Sequence, residues 1–167
     1  MSLMRKVLLI CFLFVYNASP AQLLFGDRCI GTWKGMMHIF QLGKLRDSVE
    51  VKLTVVKDAT HVWTWRMEYL SAKMPMTKDY KLKLKDGDKN LYVTDEGEGL
   101  ELTDYLVGNK LYSIFETQGV MLTASYELRG EEMIFEVTSG KKETVTHPQV
   151  TTFGTTSVQR VNLARMK

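Results

Sequence analysis

Two glutamates, Glu116 and Glu136, interrupt segments that are otherwise apolar, and carboxylates in such positions can bind a cationic group or share a proton. Inward-pointing side chains here, together with Tyr126 and Arg160, would form a polar interior suited to acid–base chemistry. Glutamate is rarely fully buried, so residues of this kind more often face solvent. Which way they point stays open, and an enzyme is the least favoured of the function classes considered below.

The next candidate is a cluster of acidic residues, which could bind Ca²⁺ because this ion is coordinated by oxygen ligands. A hairpin exposed to solvent explains the cluster better than a calcium site does. A nearby run, Asp86-x-Asp88-x-Asn90, begins like a calcium loop but has Leu91 in place of the required glycine and Gly97 in place of the bidentate glutamate. The members of the cluster are Asp95, Glu96, Glu98, Glu101 and Asp104.

Histidine and cysteine offer little more. His38, His61 and His147 have no metal-ligand spacing, whereas a zinc site needs three or four convergent ligands. Cys29 precedes a predicted strand, where a lone cysteine is usually a small buried apolar group and not a nucleophile. The chain contains no nucleophile-elbow or phosphate-binding glycine motif. We therefore predict no metal, no cofactor and no catalytic residue.

The elements that must position these residues are strands. Apolar and polar residues alternate along most of the chain, and the clearest case is the segment from Tyr80 to Lys85, where lysines occupy every second position. About ten such segments recur every 8 to 12 residues or so, and no window has helical periodicity. Residues 41–46 are expected to form a turn, and residues 139–155 a polar loop.

An open sheet of this many strands would leave two edges with unpaired backbone groups, which closure removes. The sequence therefore predicts an all-β fold: a single closed antiparallel up-and-down β-barrel of about eight to ten strands. Its inward row of large side chains can line a cavity for an apolar or aromatic ligand, or can simply fill the core. The residues of this row are Trp63, Trp65, Met67, Tyr69, Tyr80, Phe115 and Tyr126.

The first 21 residues have the features of a signal peptide. Arg5 and Lys6 precede an apolar run that is too short to span a bilayer, and small residues end at Ala21. We expect cleavage before Gln22, export to the periplasm or outside the cell, and a mature barrel domain of residues 22–167 without a transmembrane span. Cleavage lowers the formal net charge from +3 to +1, which argues against a nucleic-acid partner.

Two short motifs resemble the calycin superfamily of lipocalins and fatty-acid-binding proteins: Gly31-x-Trp33 in the first strand and Gln159-Arg160-Val161 in the last. The resemblance implies that Trp33 packs across the barrel floor against a basic side chain of the closing strand. That side chain would be Arg160, or Arg165 if the register differs. The contact would be of the cation–π type.

The chain departs from particular calycin groups. It lacks room for the lid helices and the Arg-x-Tyr of fatty-acid-binding proteins, and its late strands have no histidine where nitrobindin barrels bind haem iron. It is most similar to small exported bacterial lipocalin-like proteins of unsettled function. That similarity lies in two sequence motifs, Trp63-Thr64-Trp65 and the hairpin sequence from Tyr126 to Gly130. It implies no activity.

These observations lead to three functional hypotheses. The first is an exported, non-enzymatic lipocalin-like barrel that binds a small apolar or amphipathic molecule in its interior. The second is an envelope structural or interaction protein with a packed barrel, no ligand and a functional surface, which contiguous exposed apolar residues would favour. The third is an enzyme with a polar barrel interior.

Overall fold

The computed structural model describes residues 23–143 and 149–167, so the expected signal peptide and its cleavage site lie outside the described residues. The elements are α1 (Phe25–Cys29), β1 (Gly31–Gln41), β2 (Lys44–Ala59), β3 (Val62–Tyr69), β4 (Met76–Asp86), β5 (Leu91–Gly97), β6 (Leu100–Val107), β7 (Lys110–Thr117), β8 (Val120–Arg129), β9 (Glu132–Lys142) and β10 (Phe153–Arg165). Consecutive strands pair in antiparallel fashion, and β1 also pairs with β10 to close the barrel. The predicted fold class is confirmed.

Period-two alternation separates the two faces of the sheet, as β4 illustrates. Leu82 is 2% exposed inside the barrel. Its neighbours Lys81 and Lys83 lie on the outer face, where they form ion pairs with Asp58 and Asp95 at 2.7 Å. Each strand therefore contributes every second side chain to the interior, and these side chains form the core and the walls of the site described below.

Three local expectations were wrong. The predicted loop of residues 139–155 is shorter, because β9 continues to Lys142 and β10 begins at Phe153. The turn expected over residues 41–46 contains only Leu42 and Gly43, and Gly43 has a φ of 76°, a conformation that glycine adopts without steric cost. The third is α1, since no helix was predicted.

The helix α1 packs into one end of the barrel. Phe25 is 1% exposed and lies within 6.4 Å, centroid to centroid, of the rings of Trp65 and Tyr92. Gly26 is pressed against Trp63 so closely that an added Cβ would lie 2.2 Å from its Cδ2 atom. The helix thereby covers this end of the interior.

The barrel closes around Trp33, which is fully buried. Its Nε1 donates a hydrogen bond to the carbonyl oxygen of Cys29 at 2.9 Å, and the guanidinium carbon of Arg165 lies 4.0 Å from the ring centroid. Arg165 Nη2 also donates to the carbonyl oxygen of Arg28 at 2.9 Å. The basic partner implied by the calycin resemblance is thus present, and it ties α1 to the closing strand.

The prediction that Arg160 is the basic partner of Trp33 is wrong, because Arg165 packs on that ring. Val161 and Leu163 are buried, and Arg165 lies on their face because side chains alternate along β10. Arg160 projects from the opposite face, where its Nη1 lies 3.1 Å from Glu136 Oε2. Its side chain is about half exposed, so it takes no part in closing the barrel.

Gly35 lies where β1 and β10 approach each other closely. A Cβ at this position would lie 2.2 Å from the backbone oxygen of Asn162 in β10. Only a residue without a side chain allows β1 and β10 to come this near at the seam.

Candidate functional site

The interior contains a cavity of about 390 Å³, and its lining includes no residue of α1. Strands β3 to β10 contribute its lining. Cavities that bind small molecules span about 300 to 1,000 Å³, so this one is large enough for a small organic ligand. Six of the seven predicted residues line it: Trp65, Met67, Tyr69, Tyr80, Phe115 and Tyr126.

The seventh, Trp63, points inward as predicted but lies below the cavity. It is fully buried beneath α1, and its Nε1 donates to Asp27 Oδ1 at 3.0 Å. Lys57 Nζ lies 2.9 Å from the same oxygen. Both hydrogen bonds lower the pKa of Asp27 and keep it charged, and the one from Lys57 has the larger effect. Trp63 therefore anchors the helix, and the sequence could not show this because α1 was not predicted.

One wall of the cavity is aromatic. The rings of Tyr126 and Phe135 stack with centroids 4.4 Å apart and an angle of 13° between their planes. Trp65 meets Tyr126 edge to face at 5.2 Å. Rings packed against one another in this way are held rigidly, so this wall is an ordered apolar surface.

Another part of the wall, on β6, carries a buried carboxylate. Asp104 on β6 is 2% exposed, and Thr94 Oγ1 of β5 donates to its Oδ2 at 2.7 Å. Ser113 lies directly across from it on β7. Burial raises the pKa of Asp104, and the hydrogen bond from Thr94 opposes that shift. The cavity is therefore apolar overall, with one acidic position deep in its wall.

Sequence reasoning missed Asp104 because it grouped this residue with the acidic cluster of the neighbouring hairpin. Asp104 shares the inward face of β6 with Leu102, and both line the cavity. Glu96, from the same cluster, also lines it. Asp95 and Glu101 instead face outward and hold Lys83 at 2.7 and 2.9 Å. The period-two pattern of β6 was the signal that could have singled out Asp104.

The polar constellation considered for catalysis does not form. Glu116 is exposed on the outer face of β7, and Glu136 and Arg160 pair on the outer faces of β9 and β10. Of the four residues only Tyr126 points into the barrel. Burial raises its pKa well above the ordinary value, so its hydroxyl stays protonated.

Metal-ligating and nucleophilic side chains give no second site. Within residues 23–143 and 149–167 no group of three or more His, Cys, Asp or Glu side chains converges on a point where a metal ion would fit. His38 shares a hydrogen bond with Ser48 on the outer surface, and His147 lies outside the described residues. Cys29 is fully buried, and burial raises its pKa to about 12, which suppresses the thiolate. The same part of the chain has no helix with the length and apolar character to span a bilayer.

No protein-family model matches the sequence, and a comparison with curated proteins finds no significant match. Solved structures do match. The S-type phycobiliprotein lyase CpeS from Guillardia theta aligns with a TM-score of 0.63 at 8% identity, over 86% of this chain and 91% of the lyase. Rv2717c from M. tuberculosis aligns with a TM-score of 0.56 at 12% identity, over 84% and 94%.

A DUF3598-family protein of unknown function from Nostoc punctiforme aligns with a TM-score of 0.59 at 11% identity, over 84% of this chain and 49% of that protein. These matches agree with the closed ten-stranded barrel and with the Trp33–Arg165 contact. The chain has a calycin-like fold. At these identities the likeness concerns the architecture alone, so the function of this calycin-like barrel is argued from its own cavity.

Proposed function

We propose that the barrel binds a small amphipathic molecule, largely aromatic or apolar, in its interior cavity. The observation that carries this proposal is the cavity of about 390 Å³, which is lined in part by the stacked rings of Tyr126 and Phe135. A core that served stability alone would be packed to near-crystalline density, because each void forfeits contacts. An apolar cavity with a few placed polar groups is what small-molecule sites have in common.

We infer binding rather than catalysis. The groups that the sequence offered for acid–base chemistry are divided between the two faces of the sheet, and Glu136 is paired with Arg160. The similar structure from Guillardia theta is named a lyase, so a barrel of this architecture is compatible with an enzyme as well. Conversion of the bound molecule in the native mass measurement described below would favour that alternative.

The second hypothesis, a packed barrel acting through its surface, has one observation in its favour. Tyr105 and Tyr112 face each other on the outer side of β6 and β7, and Val107 and Ile114 beside them are 65% and 68% exposed. This surface is contiguous and apolar, as that hypothesis expected. The interior cavity, however, contradicts the solid core on which the hypothesis also depends.

Native mass spectrometry of protein purified from its own host tests the proposal. We expect an added mass that disappears on denaturation. A cavity-filling variant, Ala124→Phe, places a ring into the empty volume and should abolish the added mass. The matched control Ala164→Phe adds the same ring on the exposed face of β10 and should retain it. Absence of any bound mass, or equal retention by both variants, would refute the proposal.

We further infer that the chain is exported, on the composition of residues 1–21 alone. Sequencing of the amino terminus of the protein recovered from its host should begin at Gln22. A chain that retains Met1 and stays inside the cell would contradict this.

A further inference from the structure

Asp104 is a buried carboxylate without a basic partner among the described residues. The groups that act on it most strongly are the hydroxyls of Thr94 and Ser113 and the like-charged Glu96. None of the ion pairs in the described part of the chain includes it, although lysines pair with acids all over the outer surface. An ionised carboxylate removed from water is costly unless a positive charge lies close to it.

The cavity around Asp104 favours positive charge in two further ways. Its charged lining consists of Asp104, Glu96 and Lys78, of which Lys78 is exposed near the outer end of β4. The remaining lining is rich in aromatic side chains, whose electron-rich rings attract an organic cation. The tyrosines of the lining stay neutral, because burial raises the pKa of each: Tyr69, Tyr80 and Tyr126.

We infer that the cavity takes an organic cation with an aromatic group, whose protonated nitrogen lies against Asp104 and whose ring packs among the aromatic side chains of the lining. This inference rests on the proposed function, because it names the ligand class of the same cavity. An arylalkylamine or an aromatic amidine is protonated at neutral pH, so it can pair with the carboxylate, pack among the aromatic side chains and balance the excess of acidic groups. An aromatic carboxylate would place two negative charges together in a site of low dielectric constant.

Three probes of one skeleton test the inference: 1-naphthylmethylamine, 1-naphthalenemethanol and 1-naphthoate, titrated at pH 8 by tryptophan fluorescence and calorimetry. We expect the amine to bind about tenfold more tightly than the alcohol, and the carboxylate to bind most weakly. Asp104→Asn should remove the preference for the amine over the alcohol. The matched control Asp88→Asn, in the exposed turn after β4, should leave all three affinities unchanged.

A second measurement uses the unaltered protein. The amine needs the ionised form of Asp104, so its affinity should fall as the pH is lowered through the pKa of that residue, while the affinity of the alcohol stays level. Glu96 is the other acid facing the cavity, and Glu96→Gln should leave most of this pH dependence in place.

The outcomes separate the two claims. If the alcohol binds as tightly as the amine and neither Asp104→Asn nor pH changes their ratio, this inference is overturned and the proposed function stands. If none of the three probes binds and no native ligand is found, both are overturned.

Discussion

Replacing Arg165 with alanine should destabilise the protein far more than the same change at Arg160, five residues away on the same strand. Arg165 donates to the carbonyl oxygens of Arg28 and Ile30 and covers the buried ring of Trp33 at 4.0 Å. Truncation removes a cation–π contact of about 0.5 to 2 kcal/mol. It also leaves two carbonyl groups without their charged donors, at about 1 to 3 kcal/mol each.

These contributions are not additive, and water can reach part of the exposed edge, so we expect a loss of about 3 to 5 kcal/mol in the free energy of unfolding. The ion pair of Arg165 with Glu131 adds little, because the Glu131 side chain is 78% exposed. Arg160→Ala removes only the outer-face pair with Glu136 and should cost less than about 1 kcal/mol.

Urea unfolding followed by circular dichroism measures both variants, with equal m values taken as the sign of an unchanged two-state transition. Arg165→Lys keeps the charge but cannot reach both carbonyls at once, so it should fall between alanine and the native residue. Equal losses for Arg165→Ala and Arg160→Ala, or a loss below about 1 kcal/mol at Arg165, would refute the reasoning about the seam.

Three further predictions follow from single residues. Gly26→Ala places a Cβ 2.2 Å from Trp63 and should cost about 1 to 3 kcal/mol, whereas Gly87→Ala, whose Cβ meets nothing nearer than 3.9 Å, should be tolerated; equal melting temperatures would contradict this. Cys29, with a pKa of about 12, should react with dithiobis(nitrobenzoate) at pH 8 only after unfolding, and peptide mapping that finds it labelled in native protein would refute its burial. For Asp104 the folded state binds the proton more tightly than the unfolded state, because its pKa is raised above 3.8. The stability of the native protein relative to Asp104→Asn should therefore decline as the pH rises above about 4 through the folded pKa, and a constant difference would count against the shift.

The barrel could be predicted from sequence because its information is local. Alternating residues such as Leu82 and Lys83 define two faces within a few positions, and closure follows from the number of strands. The helix α1 could not be predicted, since five residues are too few to display a helical period, and its stability comes from packing against Trp63. For the same reason Trp63 was predicted to line the ligand cavity. The prediction that its side chain points inward was correct.

The errors at the site have a common cause. Arg160 was chosen from a short motif, whereas the alternation through Val161 and Leu163 leads to Arg165. Asp104 was grouped by charge with its hairpin, whereas the alternation through β6 leads into the cavity. In both cases the residue was assigned from the composition of its segment. Its odd or even position along the strand would have shown which face of the sheet it lies on. The size of the cavity is a different matter, because it depends on how side chains from eight strands meet.

The seam between β1 and β10 also bears on how the molecule assembles. All other strand pairings in the described part of the barrel join neighbours in the chain and can form as hairpins, but this one brings Trp33 to Arg165. Bringing such distant positions together carries the largest entropic cost of ring formation, so this step should come late on the folding route. Residues that act only after that step govern how quickly the native ring opens and have little influence on how quickly it first forms. The lifetime of the closed ring, and with it the retention of anything enclosed, would then depend on the contacts of one arginine.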